Sequence, residues 1–248
     1  TCAQKCVTFP AYGRFNNNII QLVNAYTRFA DVRRVDAANR HSIVLSEFFK
    51  PKMHGFVDFK ELEKTCIFPS WSVEGRTQHR TNCTQLDARK LYEPDRIKNQ
   101  TSQTRDDTRL LKAWLLYGTV IENVQRQITE YAAQFRSNFS AVHARFLERE
   151  CTRRHEKKGI PSNICQFKPH YIAMMLAKLG HTSHSLVFCS DKQQQTLVAK
   201  VVTQTHGVLS KHPNPLMDVL LMVLSKRFLG NAVSSMSLNV KEVREAIF

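Results

Sequence analysis

Four short clusters in this 248-residue sequence combine residue types suited to gripping an anion or a polar ring. Gly13-Arg14-Phe15-Asn16-Asn17-Asn18 follows the apolar run Val7 to Phe9 and opens a helical pattern. A turn feeding a helix N-terminus gathers backbone N–H groups, and asparagine amides add neutral donors, so the cluster suits a phosphate. It lacks the three glycines of a dinucleotide fingerprint and the Lys-Ser/Thr of a P-loop, and Asn16 or Asn17 can equally serve as a plain helix cap. His143-Ala144-Arg145 closes a second apolar run. Alternation along a strand puts His143 and Arg145 on one face. There an arginine fork suits phosphate, and a histidine can bond a sugar or base, or titrate. An Arg145 paired with Glu148 or Glu150 is the plainer alternative. Ser190-Asp191 ends a third run, and Asn231 to Ser237 follows a fourth. Ser234 and Ser235 stand where a helix begins after Gly230, an arrangement that caps the helix or holds phosphate oxygens. Asp218 sits in the first turn of a helix opened by Pro215, favourable to the helix dipole and able to accept from a purine edge.

Such clusters need strand ends to hold them. Val7 to Phe9 reads as a strand, Asn17 to Ala30 as an amphipathic helix, and Ser42 to Leu45 as a second strand, the start of an α/β unit. From Pro51 to Arg109 the pattern dissolves into polar, irregular sequence, expected to be loops with short helices. Leu110 to Phe135 is helical, with a break near Gly118. The second half alternates more cleanly. Strands at Ser140–Arg145, Ser185–Cys189, Gly207–Leu209 and Arg227–Gly230 interleave with helices at Pro169–Leu179, Lys192–Val202, Pro215–Leu224 and from Ser234 onward. That order predicts an α/β fold with parallel sheets flanked by helices, whose ligands bind beyond the carboxyl ends of the strands.

A hydrophobic share of 42% supports a substantial core and excludes a disordered chain. The longest apolar stretches are broken by Gly118 or Asp218 and fall short of the roughly 20 residues a bilayer span needs. The sequence begins at Thr1, read as a processed end from which any signal peptide or membrane anchor has been removed. The net charge of +15 fits nucleic acid, an anionic membrane surface, an acidic partner or a phosphorylated ligand. The basic residues are dispersed, without the aromatic-interleaved strands of RNA-binding sheets, so nucleic acid is not the expected partner. Seven cysteines lack paired CxxC spacing, which argues against zinc and for disulfides. The expected pairs are Cys151 with Cys165, and Cys2 or Cys6 with Cys66, leaving Cys189 as the free thiol. Sequons at Asn82, Asn99 and Asn138 add to a reading of the secretory pathway.

Taken in order, the four clusters resemble the GDP-fucose protein O-fucosyltransferase-like superfamily, which includes α1,6-fucosyltransferases. Its members carry a Gly-Arg-Phe/Leu-Gly-Asn-Gln turn, a His-x-Arg strand end, a Ser-Asp strand end and a closing Phe-x-Gly-Asn-x-x-Ser-Ser segment. The counterpart of the last here is Phe228-Leu229-Gly230-Asn231-Ala232-Val233-Ser234-Ser235. The resemblance implies a GT-B-like fold, two Rossmann-like halves facing a central cleft, with residues 1–136 on the acceptor side and 137–248 binding GDP-fucose. It implies transfer of L-fucose to a hydroxyl of a protein or glycan, with inversion, in the lumen of the endoplasmic reticulum or Golgi. Arg145 and Asn17 would be catalytic, Arg145 neutralising the β-phosphate and Asn17 facing fucose and acceptor. Gly13, Arg14, Phe15, Asn16, His143, Asp191, Asp218, Ser234 and Ser235 would bind the donor. His143 and Asp218 would meet the guanosine, and the serines the phosphates. No Asp-x-Asp is present to carry a metal, so no cofactor is expected and the arginine replaces the cation. Asn16 replaces the family's Gly and Asn18 its Gln, the N-terminal half is compressed, and Glu47 is the candidate general base. A non-catalytic binder of nucleotide-sugar or glycoprotein, and a basic polyanion-binding module, are the competing classes.

Overall fold

The computed structural model describes residues 5–10, 15–30, 41–50, 57–70, 83–87, 91, 109–113, 118, 122–135, 138–145, 152–153, 156, 169–178, 186–190, 195–211, 215–231 and 234–248. The chain divides into two compact units, Thr1–Gln125 with Glu245–Phe248, and Arg126–Arg244.

In the first unit, β1 (Cys6–Phe9), β2 (Ser42–Leu45), β3 (Ile67–Pro69) and β4 (Thr84–Gln85) form a wholly parallel sheet in the order β3-β2-β1-β4. Between β1 and β2 runs α1 (Phe15–Ala25), whose Ile19, Ile20, Leu22 and Val23 are buried and whose last turn widens into a π-helical segment, Tyr26–Ala30. A 3-10 turn (Glu47–Phe49) carries Phe49 edge-on against Phe9 at 5.7 Å, and α2 (Phe59–Lys64), capped by Asp58 accepting from the Lys60 N–H, buries Leu62. The middle of the chain, expected to be loops and short helices, thus supplies two strands as well as a helix. Both were illegible because β3 is three residues ending in Pro69, while β4 is the exposed pair Thr84-Gln85, with no apolar signal.

These edge strands bury too little to hold themselves, and disulfides flank them. Cys6 pairs with Cys83, not Cys66. The register explains the difference: Val7 lies beside Thr84, so the residues just before them, Cys6 and Cys83, sit side by side with Cα atoms 4.7 Å apart. Cys66, immediately before β3 and at positive φ, is also disulfide-bonded. Cys2, Cys151 and Cys165, with the Cys151–Cys165 pairing, lie outside the described residues. Cys189 is the buried free thiol, as expected.

The second unit repeats the plan. After α3 (Glu122–Ala133) come β5 (Ser140–His143), α4 (Pro169–Lys178), β6 (Leu186–Cys189), α5 (Gln195–Gln204), β7 (Val208–Leu209), α6 (Pro215–Leu224), β8 (Arg227–Leu229) and α7 (Ser235–Ile247). Its sheet is again parallel, in the order β7-β6-β5-β8. β5 and β6 are buried at every residue, and β6 reads as a continuous apolar run. One cluster joins Val142, Ile172, Leu176, Leu186, Phe188, Val198 and Val201. Leu216 to Val223 of α6 are all buried. The carboxyl end of α6 is held by Arg244 of α7, whose guanidinium donates to the carbonyls of Met222, Val223, Ser225 and Lys226, a cation placed at the negative end of the helix. No described helix is long and apolar enough to cross a membrane.

The Cys6–Cys83 bridge closes a separation of 77 residues, for which chain entropy predicts about 4 kcal/mol of stabilisation. Cys83→Ala is therefore expected to lower the unfolding free energy of the oxidised protein by roughly 2–4 kcal/mol in urea titration. An unchanged midpoint would mean that β4 is held by something else.

Candidate functional site

In the second unit β5 has β6 on one side and β8 on the other: the chain runs outward from β5 through β6 to β7, then crosses back to place β8 on the opposite side of β5. Such a switch point opens a crevice at the carboxyl ends of the strands, where open α/β sheets bind ligands. The residues there are His143 and Arg145 after β5, and Gly230, Asn231, Ser234 and Ser237 after β8.

Three hydrogen bonds sew the crevice together. Asn231 Nδ2 donates to the Arg145 carbonyl at 2.8 Å, the Asn231 N–H donates to Ser237 Oγ at 2.7 Å, and Ser237 Oγ bonds His143 Nδ1 at 2.7 Å. Strand end, turn and first helical turn are thereby fixed relative to one another, with His143 only 2% exposed. Gly230 is required at the turn because a Cβ there would meet the Phe228 ring and Ser237 Cβ at 3.0 Å each. The predicted strand to Arg145 stops at His143, although Ala144 N–H still donates to the Cys189 carbonyl at 2.9 Å. Arg145 is half-buried just beyond.

Ser234 precedes the 13-residue helix α7. Its N–H donates to the Asn231 carbonyl and its carbonyl accepts from the Leu238 N–H, each at 3.0 Å. Its hydroxyl oxygen is buried and has no partner among the described residues. An unsatisfied buried hydroxyl costs about 1–3 kcal/mol, and this one stands at the positive end of a helix dipole, which favours an anion by up to ~2 kcal/mol. A phosphate oxygen would satisfy both. Ser235 is the first residue of the same helix.

Asp218 is placed differently from the switch-point residues. It is 7% exposed, accepts from Ser210 Oγ at 2.6 Å, and interacts with the Cys189 thiol at the end of β6. Tyr131 of α3 adds its hydroxyl to Ser210 Oγ at 3.3 Å and accepts from the Lys211 N–H at 3.2 Å. The carboxylate thus ties α3, α6, β6 and the segment after β7 together. Burial, and then the Asp218 charge, push the Cys189 thiol well above its usual range, so it stays protonated and is no nucleophile at neutral pH.

The structure brings His143, Arg145 and Ser234 together through Asn231 and Ser237. Gly13, Arg14 and Asp191 lie outside the described residues, as do Asn82 and Asn99, while Asn138 is exposed. Phe15, Asn16 and Asn17 form the first turn of α1, and their side chains are not described. Their helical backbone corrects the N-cap reading of Asn16 and Asn17, since a cap residue lies outside the helix. Glu47 is exposed at the start of its 3-10 turn. Two participants had no role assigned from the sequence: Ser237, which closes the Asn231 to Ser237 cluster, and Tyr131, which reads only as part of the helical pattern of Leu110 to Phe135. Among the described residues no group of three or more His, Cys, Asp or Glu could hold a metal.

No family model and no curated protein matches this sequence. Solved structures do. A crystal structure of POFUT1 in complex with GDP superposes with a TM-score of 0.60 at 14% identity, covering 99% of this chain and 96% of that one. The POFUT1 apo-form superposes with a TM-score of 0.57 at 15% identity, covering 99% and 96%. The chain therefore has a fucosyltransferase-like fold of the GT-B type, α/β with two parallel four-stranded sheets.

Gly230→Ala is expected to lower stability by about 1–3 kcal/mol, because the new methyl would press on the Phe228 ring and on Ser237 Cβ, which is held in the first turn of α7 and, through Oγ, by His143. Urea unfolding measures this, and a loss under about 0.5 kcal/mol, the scale of a neutral surface change, would show that the turn is looser than described.

Proposed function

We propose that this protein is a fucosyltransferase that moves L-fucose from GDP-fucose to a hydroxyl of a protein or glycan, with inversion and without a metal ion. The observation that carries this reading is the buried, unpartnered Ser234 hydroxyl at the N-terminus of α7, one turn from the Asn231 that holds the Arg145 carbonyl. It is a seat for phosphate at the switch point of a fold seen elsewhere with GDP bound.

In this reading the diphosphate lies against the start of α7, with Ser234 and Ser235 on its oxygens. Fucose departs from the β-phosphate as the acceptor hydroxyl oxygen attacks the opposite face of its anomeric carbon and gives up its proton to solvent or the departing diphosphate, and the negative charge that develops on GDP is neutralised by Arg145. A fixed cation and helix N–H groups stabilise that charge without reorganising, and preorganised stabilisation of this kind lowers a reaction barrier more than any other single effect. His143 bonds the nucleoside side of the donor. Asp218, already bonded to Ser210, shapes the neighbouring strand end. Asn17 at the start of α1, with Gly13 to Asn16 before it, would face the sugar and acceptor. The sequons and the Cys6–Cys83 bridge support work in the secretory pathway, in the endoplasmic reticulum or Golgi lumen. A protein that binds the donor without turnover is the second reading, favoured by Asn16 standing where the family has glycine.

Calorimetric titration with GDP-fucose, GDP-mannose and UDP-sugars in EDTA tests the reading. Micromolar binding restricted to GDP-fucose is expected, and no binding of any GDP species contradicts it. Ser234→Ala should weaken GDP binding by about tenfold. Arg145→Ala should lower transfer by roughly 100-fold or more while the fold persists by circular dichroism. Transfer undiminished in Arg145→Ala would remove Arg145 from the mechanism.

A further inference from the structure

A serine hydroxyl has one proton to donate and two lone pairs to accept with. At Ser237 Oγ one lone pair receives the Asn231 N–H at 2.7 Å. The remaining bond, to His143 Nδ1 at 2.7 Å, runs in one of two directions. If Nδ1 carried a proton and donated it, Oγ would receive two N–H groups and its own proton would point at nothing. Ser237 is 5% exposed, and Asn231 and His143 are the only partners of its hydroxyl among the described residues. An unsatisfied buried hydroxyl disfavours that arrangement by roughly tenfold to a hundredfold. If instead Ser237 donates to an unprotonated Nδ1, its hydroxyl is satisfied both as donor and as acceptor.

We infer that Ser237 is a positioning residue that holds His143 as the neutral ring with its proton on Nε2, so that whatever this histidine meets there must offer a hydrogen-bond acceptor. The direction is imposed by the backbone. Asn231 N–H is fixed by the turn after β8, it occupies the serine's acceptor side, and the hydroxyl proton is left facing the end of β5. The same geometry resists the imidazolium, in which Nδ1 would again donate. Among the described residues the ionisable groups on the surrounding elements are Arg145 beyond β5, Cys189 opposite His143 on β6, Asp218 against Cys189 from α6, Arg227 on β8, and Lys241, Glu242, Arg244 and Glu245 on α7. In the donor site proposed above, on which this last step rests, His143 is then neither a general base through Nδ1 nor a second cation beside Arg145. Its Nε2–H can only donate, so a nucleotide group that meets it must be a carbonyl, ring-nitrogen or phosphate acceptor.

Long-range proton–nitrogen correlation spectra of the ¹⁵N-labelled full chain at neutral pH, with His143 identified by its absence in His143→Gln, read the tautomer directly. An unprotonated Nδ1 with a protonated Nε2 is the expected result, and a protonated Nδ1 or an imidazolium overturns the inference. Ser237→Thr, which keeps the hydroxyl, should preserve the signature, whereas Ser237→Ala should lose it and weaken GDP binding by about tenfold. A signature unchanged in Ser237→Ala also overturns the inference. The wild-type spectrum decides the tautomer even where the alanine variant does not fold. GDP titration of the same wild-type sample separates the two readings: the expected tautomer without GDP binding defeats the donor site alone, and GDP binding with the other tautomer defeats this inference alone.

Discussion

The candidate site depends on one junction, the hydroxyl of Ser237 held between the Asn231 N–H and the His143 ring. β5 and β8 are neighbours in space but far apart in sequence, the first ending at His143 and the second starting at Arg227. Sheet pairing aligns the strands only as far as Val142 and Leu229. Beyond that point the chain must choose a direction, and the junction chooses it. It fixes the entry angle of α7, which sets where the helix N-terminus and the Ser234 hydroxyl are aimed. The close approach at Gly230 is the condition for the junction: a side chain there would press on Ser237 itself. A preorganised anion seat needs this rigidity, because donors that must reorganise contribute little to stabilising a developing charge.

The two units reach the same strand order by different means. In the second, buried apolar strands, the apolar helix α6 and the Arg244 clamp hold the sheet. In both units the edge strands are only two and three residues long, but in the first, covalent bonds at Cys83 and Cys66 stand beside them. Cross-linking substitutes for burial where a short chain cannot cover a full sheet.

This division also explains what could be read from the residues alone. Ser42–Leu45 and Pro215–Leu224 were legible to the residue, since a bounded apolar run and a proline-opened helix are local signals. β4 was not, because Thr84 and Gln85 become a strand only through their register with Val7 and Thr8. The Cys6–Cys83 pairing was hidden for the same reason. At the site, His143, Arg145 and Ser234 stood out by type and position after strands. Ser237 did not, because its importance comes from a partner 94 residues away. Asp218 was legible as a buried-helix carboxylate but not as the acceptor of Ser210, a bond that turns it inward.

The central claim is that the switch point between β5 and β8 is where a GDP-type donor binds. Amide hydrogen exchange of the full chain, with and without saturating GDP, tests it at backbone resolution. The account predicts new protection at Asn231 and from Ser234 to Leu238, together with Ala144 and Arg145. Protection confined to the Thr1–Gln125 unit, or none anywhere at saturating GDP, would contradict it.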